Sequence, residues 1–592
     1  MKHLILFTIG PVQSFIAQAR KTQDLYAGSS LLSALVRKAI EVIGEKHLIF
    51  PKKGESMPNR FLAEVPETET TALKAFGQRI ENVVRNEWHR IAGESLKGIN
   101  SKPKGFDEQI ANHLEIFWVI DSEGDDYAST ISNLEKQLAG IKNVRPFRQF
   151  RWQEGIVGER GRKCNLDGQR NVQFYQSRSN SPINLEGSPL YTTPGAVDPK
   201  QKYQENVLAR GEGLSAVSFL KRHYETNTFK STAEIALLDA LNSLEKDTVG
   251  RIYLKEYKSQ IFNEFNAQLL YKNGLSERSL DDPGMTFKNG YTLEKAIQKR
   301  DALERKSGLK FQKYYAVFTF DGDDMGKWLS GEFLKDKKQL NVFQIQLAQC
   351  LSEFSKAARQ RLDEGSGQTI YAGGDDFIGF LNLNHLLHVM KDIRILFREK
   401  VDIPLSGFKT KEISFSMGIC VAHYKEPLTL VLQEARNSQK KAKDLDEKNA
   451  FAISVVKGSG ESHRTALPFG ANEKNIERLS TLTNALIQED FSNNFIKTLR
   501  LEFERVLDFQ DDPAAFQEVF KCELKRLLHR AANKHWSKER KKQESEKMTD
   551  LMMPLFGFRQ TENFFQVLHI SDFFQRELDV PQKQNKETTQ TT

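Results

Sequence analysis

The chain has 592 residues, 39% of them hydrophobic and 28% charged, with 86 Lys and Arg against 78 Asp and Glu and a formal net charge of +8. That length has room for three or four domains, and the composition is that of folded globular material rather than a disordered or collagenous chain. No apolar run approaches a membrane span, the start at Met1–Ile9 lacks a signal-peptide pattern, and four scattered cysteines point to a reducing, cytoplasmic setting without a disulfide frame.

Leu4–Ile9 reads as a strand, and Gly10-Pro-Val-Gln-Ser-Phe15 turns into a helix through Ala27. Gly28-Ser29-Ser30 is expected to interrupt that helix before a second segment from about Leu31 to Val42. Strands follow at Leu48–Phe50 and Arg60–Val65, then a helix over about Thr71–Ala92 and a strand over Leu114–Ile120. Strand, helix, two strands, helix, strand is the ferredoxin-like order. A mixed, basic stretch occupies 121–309. Within it Arg145-Pro-Phe-Arg-Gln-Phe-Arg-Trp152 interleaves arginine with aromatics, a pattern able to stack on RNA, although a loop packing its rings into the core is the simpler reading. Basic clusters at Arg145–Lys163 and Lys525–Lys542 are compatible with a polyanionic partner.

The aromatic and β-branched run Tyr315–Phe320 predicts a strand that ends in Asp321-Gly322-Asp323-Asp324. A helix follows, with Phe343, Leu347, Leu351, Phe354, Ala358 and Leu362 on one face. Tyr371-Ala-Gly-Gly-Asp-Asp-Phe-Ile-Gly-Phe380 reads as a hairpin whose glycines, Gly373 and Gly374, form a two-residue turn and whose tip carries Asp375 and Asp376. Adjacent carboxylates repel each other, and hard divalent ions are their usual compensation. A strand ending in aspartate, a helix and an acidic hairpin is the layout of a polymerase or cyclase palm, with Asp321 and the hairpin aspartates at one sheet edge, where two metal ions could be held for phosphoryl transfer. Asp323 and Asp324 read as ligands, outer acids or turn residues. A strand at Ile413–Ala422 and a helix over Pro427–Lys443 complete an element order similar to that of the first segment. Beyond a linker at Lys457–Glu461, helical segments near 476–488, 494–506, 514–529 and 563–576 precede a polar tail, 581–592, expected to be disordered.

The strand and helix ending in Ala435-Arg-Asn-Ser-Gln-Lys-Lys-Ala-Lys443 resemble those closing the catalytic domain of diguanylate cyclases of the GGDEF family. There the lysine at the place of Lys443 contacts phosphates. In this chain Lys443 reads equally as that contact or as solvated helix surface, whereas Lys440 and Lys441 read as solvated surface. Phe7–Ser33, Pro58–Ala63, Ala216–Arg222 and Ser231–Ala236, followed by Asp321-Gly322-Asp323 and Gly373–Asp376, run in an order similar to the large palm-containing subunit of type III-B (Cmr-type) CRISPR effector complexes. Two departures stand out. The chain starts at the first palm, with no His-Asp pair near its start, so no HD nuclease is expected. The place of the family's zinc knuckle, Arg162–Gly168, holds only Cys164, so no structural zinc is expected and Cys164 should be buried as a small apolar group.

The expected fold is α+β: a first ferredoxin-like palm (1–120), an inter-palm α/β domain (121–309), a second, GGDEF-like palm (310–457) and a C-terminal helical domain (458–580). The resemblance implies an RNA-activated nucleotidyltransferase that converts ATP to a second messenger when guide RNA (crRNA) pairs with target RNA among the other Cmr-type subunits. The product would be a cyclic oligoadenylate or an adenylylated acceptor such as S-adenosylmethionine. Asp321, Asp375 and Asp376 would be catalytic and would hold two Mg²⁺ or Mn²⁺. The backbones of Gly322, Gly373 and Gly374, with Lys443, would receive the nucleotide, and Gly28, Ser29 and Ser30 would contact a second one. Two other readings remain. One is a silent scaffold that binds target RNA, which the retained carboxylates weigh against; the other is a free-standing diguanylate cyclase, which leaves the first palm unexplained.

Overall fold

The first strand, β1 (His3–Gly10), alternates Ile5, Phe7 and Ile9 on one face with Leu4 and Leu6 on the other, and all five are buried. Both faces of its sheet are therefore covered. The structure, a computed structural model, describes residues 2–578 except 53, 55, 67–68, 100, 125, 145–151, 154–155, 158–160, 177–207, 209–210, 225–228, 264, 277–286, 289, 459, 507–512 and 557–560. Helices α1 (Gln13–Ala17) and α2 (Thr22–Ile43) follow β1, then β2 (Leu48–Phe50), β3 (Arg60–Val65), α3 (Thr70–Ser95), α4 (Phe106–Ala111) and β4 (Glu115–Ser122). The sheet order is β2-β3-β1-β4, with β1 antiparallel to both neighbours, the ferredoxin-like arrangement expected. Ile5 and Phe7 pack with α2 and α3, while α5 (Tyr127–Asn143) covers Leu4 and Leu6 through Ile131, Leu134 and Leu138.

The expected helix break at Gly28-Ser29-Ser30 is not there. It falls at 18–21, and α2 continues through all three residues. The cause is Asp24, whose carboxylate accepts from the backbone N–H of Arg20 (3.0 Å) and Lys21 (3.1 Å) and so starts a new helix. Gly28 answers a packing need instead: a Cβ there would lie 2.7 Å from Cε of Lys221.

The middle of the chain holds two short strand pairs, β5 (Trp152–Gln153) with β6 (Ile156–Val157) and β7 (Phe174–Tyr175) with β8 (Gly213–Leu214). Helices α6 (Ala216–Tyr224), α7 (Thr232–Ala236), α8 (Leu238–Lys246), α9 (Thr248–Glu256) and α10 (Leu293–Ser307) follow. Ser231 and Glu234 form a capping box that starts α7, which gives the Ser231–Ala236 stretch a local structural role. Cys164 is buried, with its sulfur 3.3 Å from the Ser218 hydroxyl. Most of the Arg145–Trp152 run, and the tail from 581, lie outside the described residues.

The second sheet is built on β9 (Tyr314–Gly322). After it come α11 (Met325–Leu329), α12 (Leu340–Asp363), β10 (Gly367–Ala372), β11 (Phe377–Asn382), α13 (Leu386–Phe397), β12 (Phe415–His423), α14 (Leu428–Lys443) and β13 (Ala450–Val456). Tyr315 and Val317 face the first palm and α14, whereas Ala316, Phe318 and Phe320 face α12 and α13. A further strand, β14 (Ser462–Pro468), pairs with β13 along its whole length, so the sheet runs past the boundary expected at 457. Its order is β10-β11-β9-β12-β13-β14, a ferredoxin-like core widened by two strands. Helices α15 (Lys474–Ile487), α16 (Asn494–Val506), α17 (Pro513–Ala531), α18 (Lys538–Met552) and α19 (Thr561–Glu577) complete the C-terminal unit. In α18 the basic run is partly paired with acids, as in Lys547–Glu544 (2.8 Å). Among the described residues no helix is long and apolar enough to cross a membrane.

Candidate active site

The register of the second sheet places the acids. Phe377 of β11 pairs with Phe320 of β9, and Ser416 of β12 pairs with Asp321, so Asp321 ends the central strand beside the β10–β11 loop. That loop has four residues, Gly373-Gly374-Asp375-Asp376, closed by Gly373 N–H donating to Asp376 O (2.9 Å); it is not a two-residue turn. Only Gly374 of the two glycines takes a left-handed φ, +109°. Gly322 N–H donates to Asp375 O (3.1 Å), and a Cβ on Gly322 would come within 3.1 Å of the Asp375 Cβ. Gly322 thus lets the loop approach the strand end.

Lys443 arrives from the last turn of α14. A Cβ on Gly418 of β12 would lie 2.1 Å from Gln439 N and 2.2 Å from Ala435 O, so this glycine allows α14 to lie directly on the sheet. Lys443 Nζ consequently pairs with the Asp321 carboxylate and also donates to Gly322 O (3.3 Å). Lys443 therefore meets an acid of the strand end rather than solvent alone. Lys440 and Arg436, one and two turns back, line the same cavity; Lys440 had been expected to be plain surface. Arg436 was missed, although its spacing of four and seven from Lys440 and Lys443 marks a shared face.

Burial, and then the charge of Asp321, push the Asp375 carboxyl up to about 6 and that of Asp376 up to about 8. Both carboxyls thus hold their protons more tightly than a solvated aspartate does, because burial and the neighbouring carboxylates outweigh Lys443 and Arg436. The other two acids of the strand end belong to the scaffold. Asp323 is buried and accepts from Ser414 Oγ (2.7 Å), Ser416 Oγ (2.8 Å) and Asn449 N–H (3.1 Å). Asp324, at φ 55°, pairs with Lys448 (2.5 Å) and Lys411 (3.2 Å).

Two cavities flank the loop. One, of about 270 Å³, is lined by Asp321, Asp376, Arg436 and Lys443, with Val12 and Gln13 of the first palm opposite. The other, of about 320 Å³, lies between Phe50 of the first palm and Ser352, Ser355, Lys356 and Arg359 of α12, and reaches Gly373 and Gly374. Nothing in the sequence links Phe50 or α12's polar face to the acids; only the meeting of the palms does. Gly28 and Ser29 are buried, and none of Gly28, Ser29 and Ser30 lines either cavity.

The donor set is all oxygen, which suits a hard divalent cation, and the mutual repulsion of the three acids favours one. Among the described residues no group of three or more His, Cys, Asp or Glu converges as a ready-made metal centre. At Asp321 the cation present is the Lys443 ammonium.

Two ferredoxin-like sheets, the second with aspartates at a strand end and in the adjoining loop, define a double-palm protein with a nucleotidyl cyclase-like fold. Residues 314–452 match the family described as Cas10/Cmr2, second palm domain, and residues 4–56 match the CRISPR-associated protein Cmr2, N-terminal family. The CRISPR system Cmr subunit Cmr2 of Pyrococcus furiosus is 24% identical over 545 residues, covering 77% of this chain and 62% of the relative. The chain thus spans less than two thirds of that relative's length. In structure it resembles chains of the type III-B Cmr-beta complex bound to cognate target RNA (TM-score 0.63, 13% identity, 90% of this chain and 79% of that one) and of its apo state (TM-score 0.60, 13% identity, 90% and 78%). The start of the chain and its second palm thus each match a Cmr2-type family, and the fold between and around them is similar to that of the Cmr-beta chains.

Proposed function

We propose that this chain is the nucleotidyltransferase subunit of a cytoplasmic type III-B complex, joining ATP to a second nucleotide or another acceptor once guide RNA has paired with target RNA. The observation that carries this reading is the meeting of Asp321, Asp375, Asp376, Lys443 and Arg436 between two cavities at the junction of the palms. A scaffold has no use for three mutually repelling carboxylates there. In this reading Lys443 and Arg436 bind a triphosphate, and Ser352, Ser355, Lys356 and Arg359, which line the cavity across the loop, bind a second nucleotide. A hydroxyl of one nucleotide attacks the α-phosphorus of the other, a P–O bond forms, and pyrophosphate leaves with the electron pair of the broken bond. Asp321, Asp375 and Asp376 would hold two Mg²⁺ or Mn²⁺, which when bound supply charge neutralisation and a lower pKa for the attacking hydroxyl. With ATP as acceptor, one transfer or several give a linear 5′-triphosphorylated oligoadenylate, and attack of its 3′-hydroxyl on its own α-phosphorus, with loss of a last pyrophosphate, closes the ring to a cyclic oligoadenylate; with S-adenosylmethionine a single transfer gives an adenylylated conjugate.

The test is a product assay on the complex reconstituted with the other Cmr-type subunits and guide RNA. It uses labelled ATP and Mg²⁺ or Mn²⁺, with and without matched target RNA and S-adenosylmethionine. Target-dependent product is expected, and its mass names the acceptor. The double variant Asp375→Ala/Asp376→Ala should lower the rate at least about 10³-fold while leaving assembly and RNA binding intact. Failure of assembly would make the carboxylates structural; no wild-type product with RNA binding intact would leave the scaffold reading.

A further inference from the structure

Behind the first-palm wall of the carboxylate cavity sits a fully buried lysine. Lys221, on α6, is 1% exposed, and its ammonium donates to the carbonyls of Phe15, Ile16 (3.2 Å) and Gln18 (2.9 Å) at the end of α1. Its Nζ also lies 4.8 Å from the centre of the Phe15 ring. The next residue, Arg222, grips Asp24 at the start of α2 with two hydrogen bonds (2.8 and 2.9 Å) and Glu212 with a third (2.6 Å). Two consecutive residues of one inter-palm helix thus hold both sides of the α1–α2 corner. Thr22 of that corner donates to Lys230 O (2.9 Å), and Lys230 N–H donates to Gln368 of β10 (3.0 Å), one strand from the catalytic loop.

The opposite side of the corner faces the acids. Val12, Gln13 and Ile16 line the cavity that contains Asp321, Asp376, Arg436 and Lys443, and Arg436 Nη2 is 3.5 Å from Gln13 O. Burying an ammonium is costly, and three carbonyls compensate it only if they stay in place. The cheapest arrangement is therefore a rigid α1.

We propose that Lys221 is a positioning residue of the nucleotide site, holding the α1 wall at a fixed distance from Asp321 and Arg436, so that helix α6 of the inter-palm segment acts on nucleotide binding through the α1–α2 corner. This rests on the nucleotide reading of the site. It also reassigns Gly28: its missing side chain makes room for the lysine stem.

The experiment uses the assembled complex and two readouts, equilibrium binding of a non-hydrolysable ATP analogue with Mg²⁺, and kcat and KM for ATP. Lys221→Met keeps the stem and removes the donor; it should weaken analogue binding and raise KM about tenfold with kcat little changed. Gly28→Ala, normally stabilising inside a helix, should shift both readouts in the same direction by displacing the lysine, and the double variant should be no worse than Lys221→Met alone. Phe219→Leu, on the same helix and buried, serves as the structural comparison: lower Tm, unchanged KM. If Lys221→Met and Gly28→Ala leave KM and analogue binding at wild-type values, or if Phe219→Leu shifts them equally, the proposal falls while the function stands. If Lys221→Met does not fold, Gly28→Ala decides. A wild-type complex that neither binds the analogue nor makes product would overturn the functional reading, and this proposal with it.

Discussion

Asp376 carries the strongest electrostatic tension at the site, its carboxyl pushed up to about 8 by burial, then Asp321 and Asp375. Lys443 relieves part of that tension at Asp321. Lys443→Ala should raise the KM for ATP about tenfold, through lost phosphate binding, and change kcat less; an unchanged KM would refute the phosphate role. Asp24 shows the opposite balance. Burial on its own would raise its carboxyl, but the Arg222 guanidinium more than offsets this, and the net value falls from 3.8 to about 2. The folded state therefore binds this proton less readily than the unfolded chain. Its contribution to stability is complete above about pH 4 and is lost as pH falls from there towards 2. Asp24→Asn should cost about 3–5 kcal/mol at neutral pH, by stranding the buried Arg222, and should flatten the acid limb of the Tm–pH curve. Thermal melts of both proteins from pH 2 to pH 7 check both parts.

At the scale of elements, the position of α14 is decided by one missing side chain. Gly418 has helix backbone where its Cβ would be, so Gly418→Ala must lift α14 and carry Lys443 and Arg436 away from Asp321. The expected cost is about 1–3 kcal/mol or more, the usual range for overpacking, together with a higher KM. A lower Tm with unchanged KM would show that α14 adjusts without moving its basic face. The elements around the acids were legible in the sequence because their signals are local. Tyr315–Phe320 alternates into two cores, and the apolar face of α12 repeats every three to four residues. Elements whose stability comes from distant partners were harder to read. Strand β14, whose alternation is weak, exists because β13 offers it a full edge, and the break at 18–21 exists because Asp24 captures two backbone N–H groups.

Across the whole molecule, the inter-palm segment is joined to the second palm by a few buried polar contacts. Asn382, at the end of β11, donates to Ile235 O (3.1 Å) and Ala236 O (2.9 Å), while its own oxygen accepts from Asn384 N–H (3.0 Å). Asn382→Leu would strand two buried carbonyls and should destabilise the protein by about 1–3 kcal/mol, measurable by denaturant unfolding. Such joints also decide which residues border the acids. The 320 Å³ cavity exists because β2 of one palm meets α12 of the other, an encounter between residues about 300 positions apart that no periodicity could signal.

The sequence by itself determined the two ferredoxin-like palms, the resemblance to Cmr-type subunits, and the acids at the strand end and in the hairpin loop, because alternation, helical spacing and acidic motifs are written in neighbouring residues. Only the tertiary structure decided which acids face the cavity and which are scaffold: Asp321 is still on β9 and lines the cavity, whereas Asp323, two residues on, has left the strand and is held by Ser414, Ser416 and Asn449. It also decided that Lys443 and Arg436 reach the acids and that Gly28 packs on Lys221. Each of these outcomes depends on how closely two distant segments approach, a distance set by packing rather than by composition or spacing.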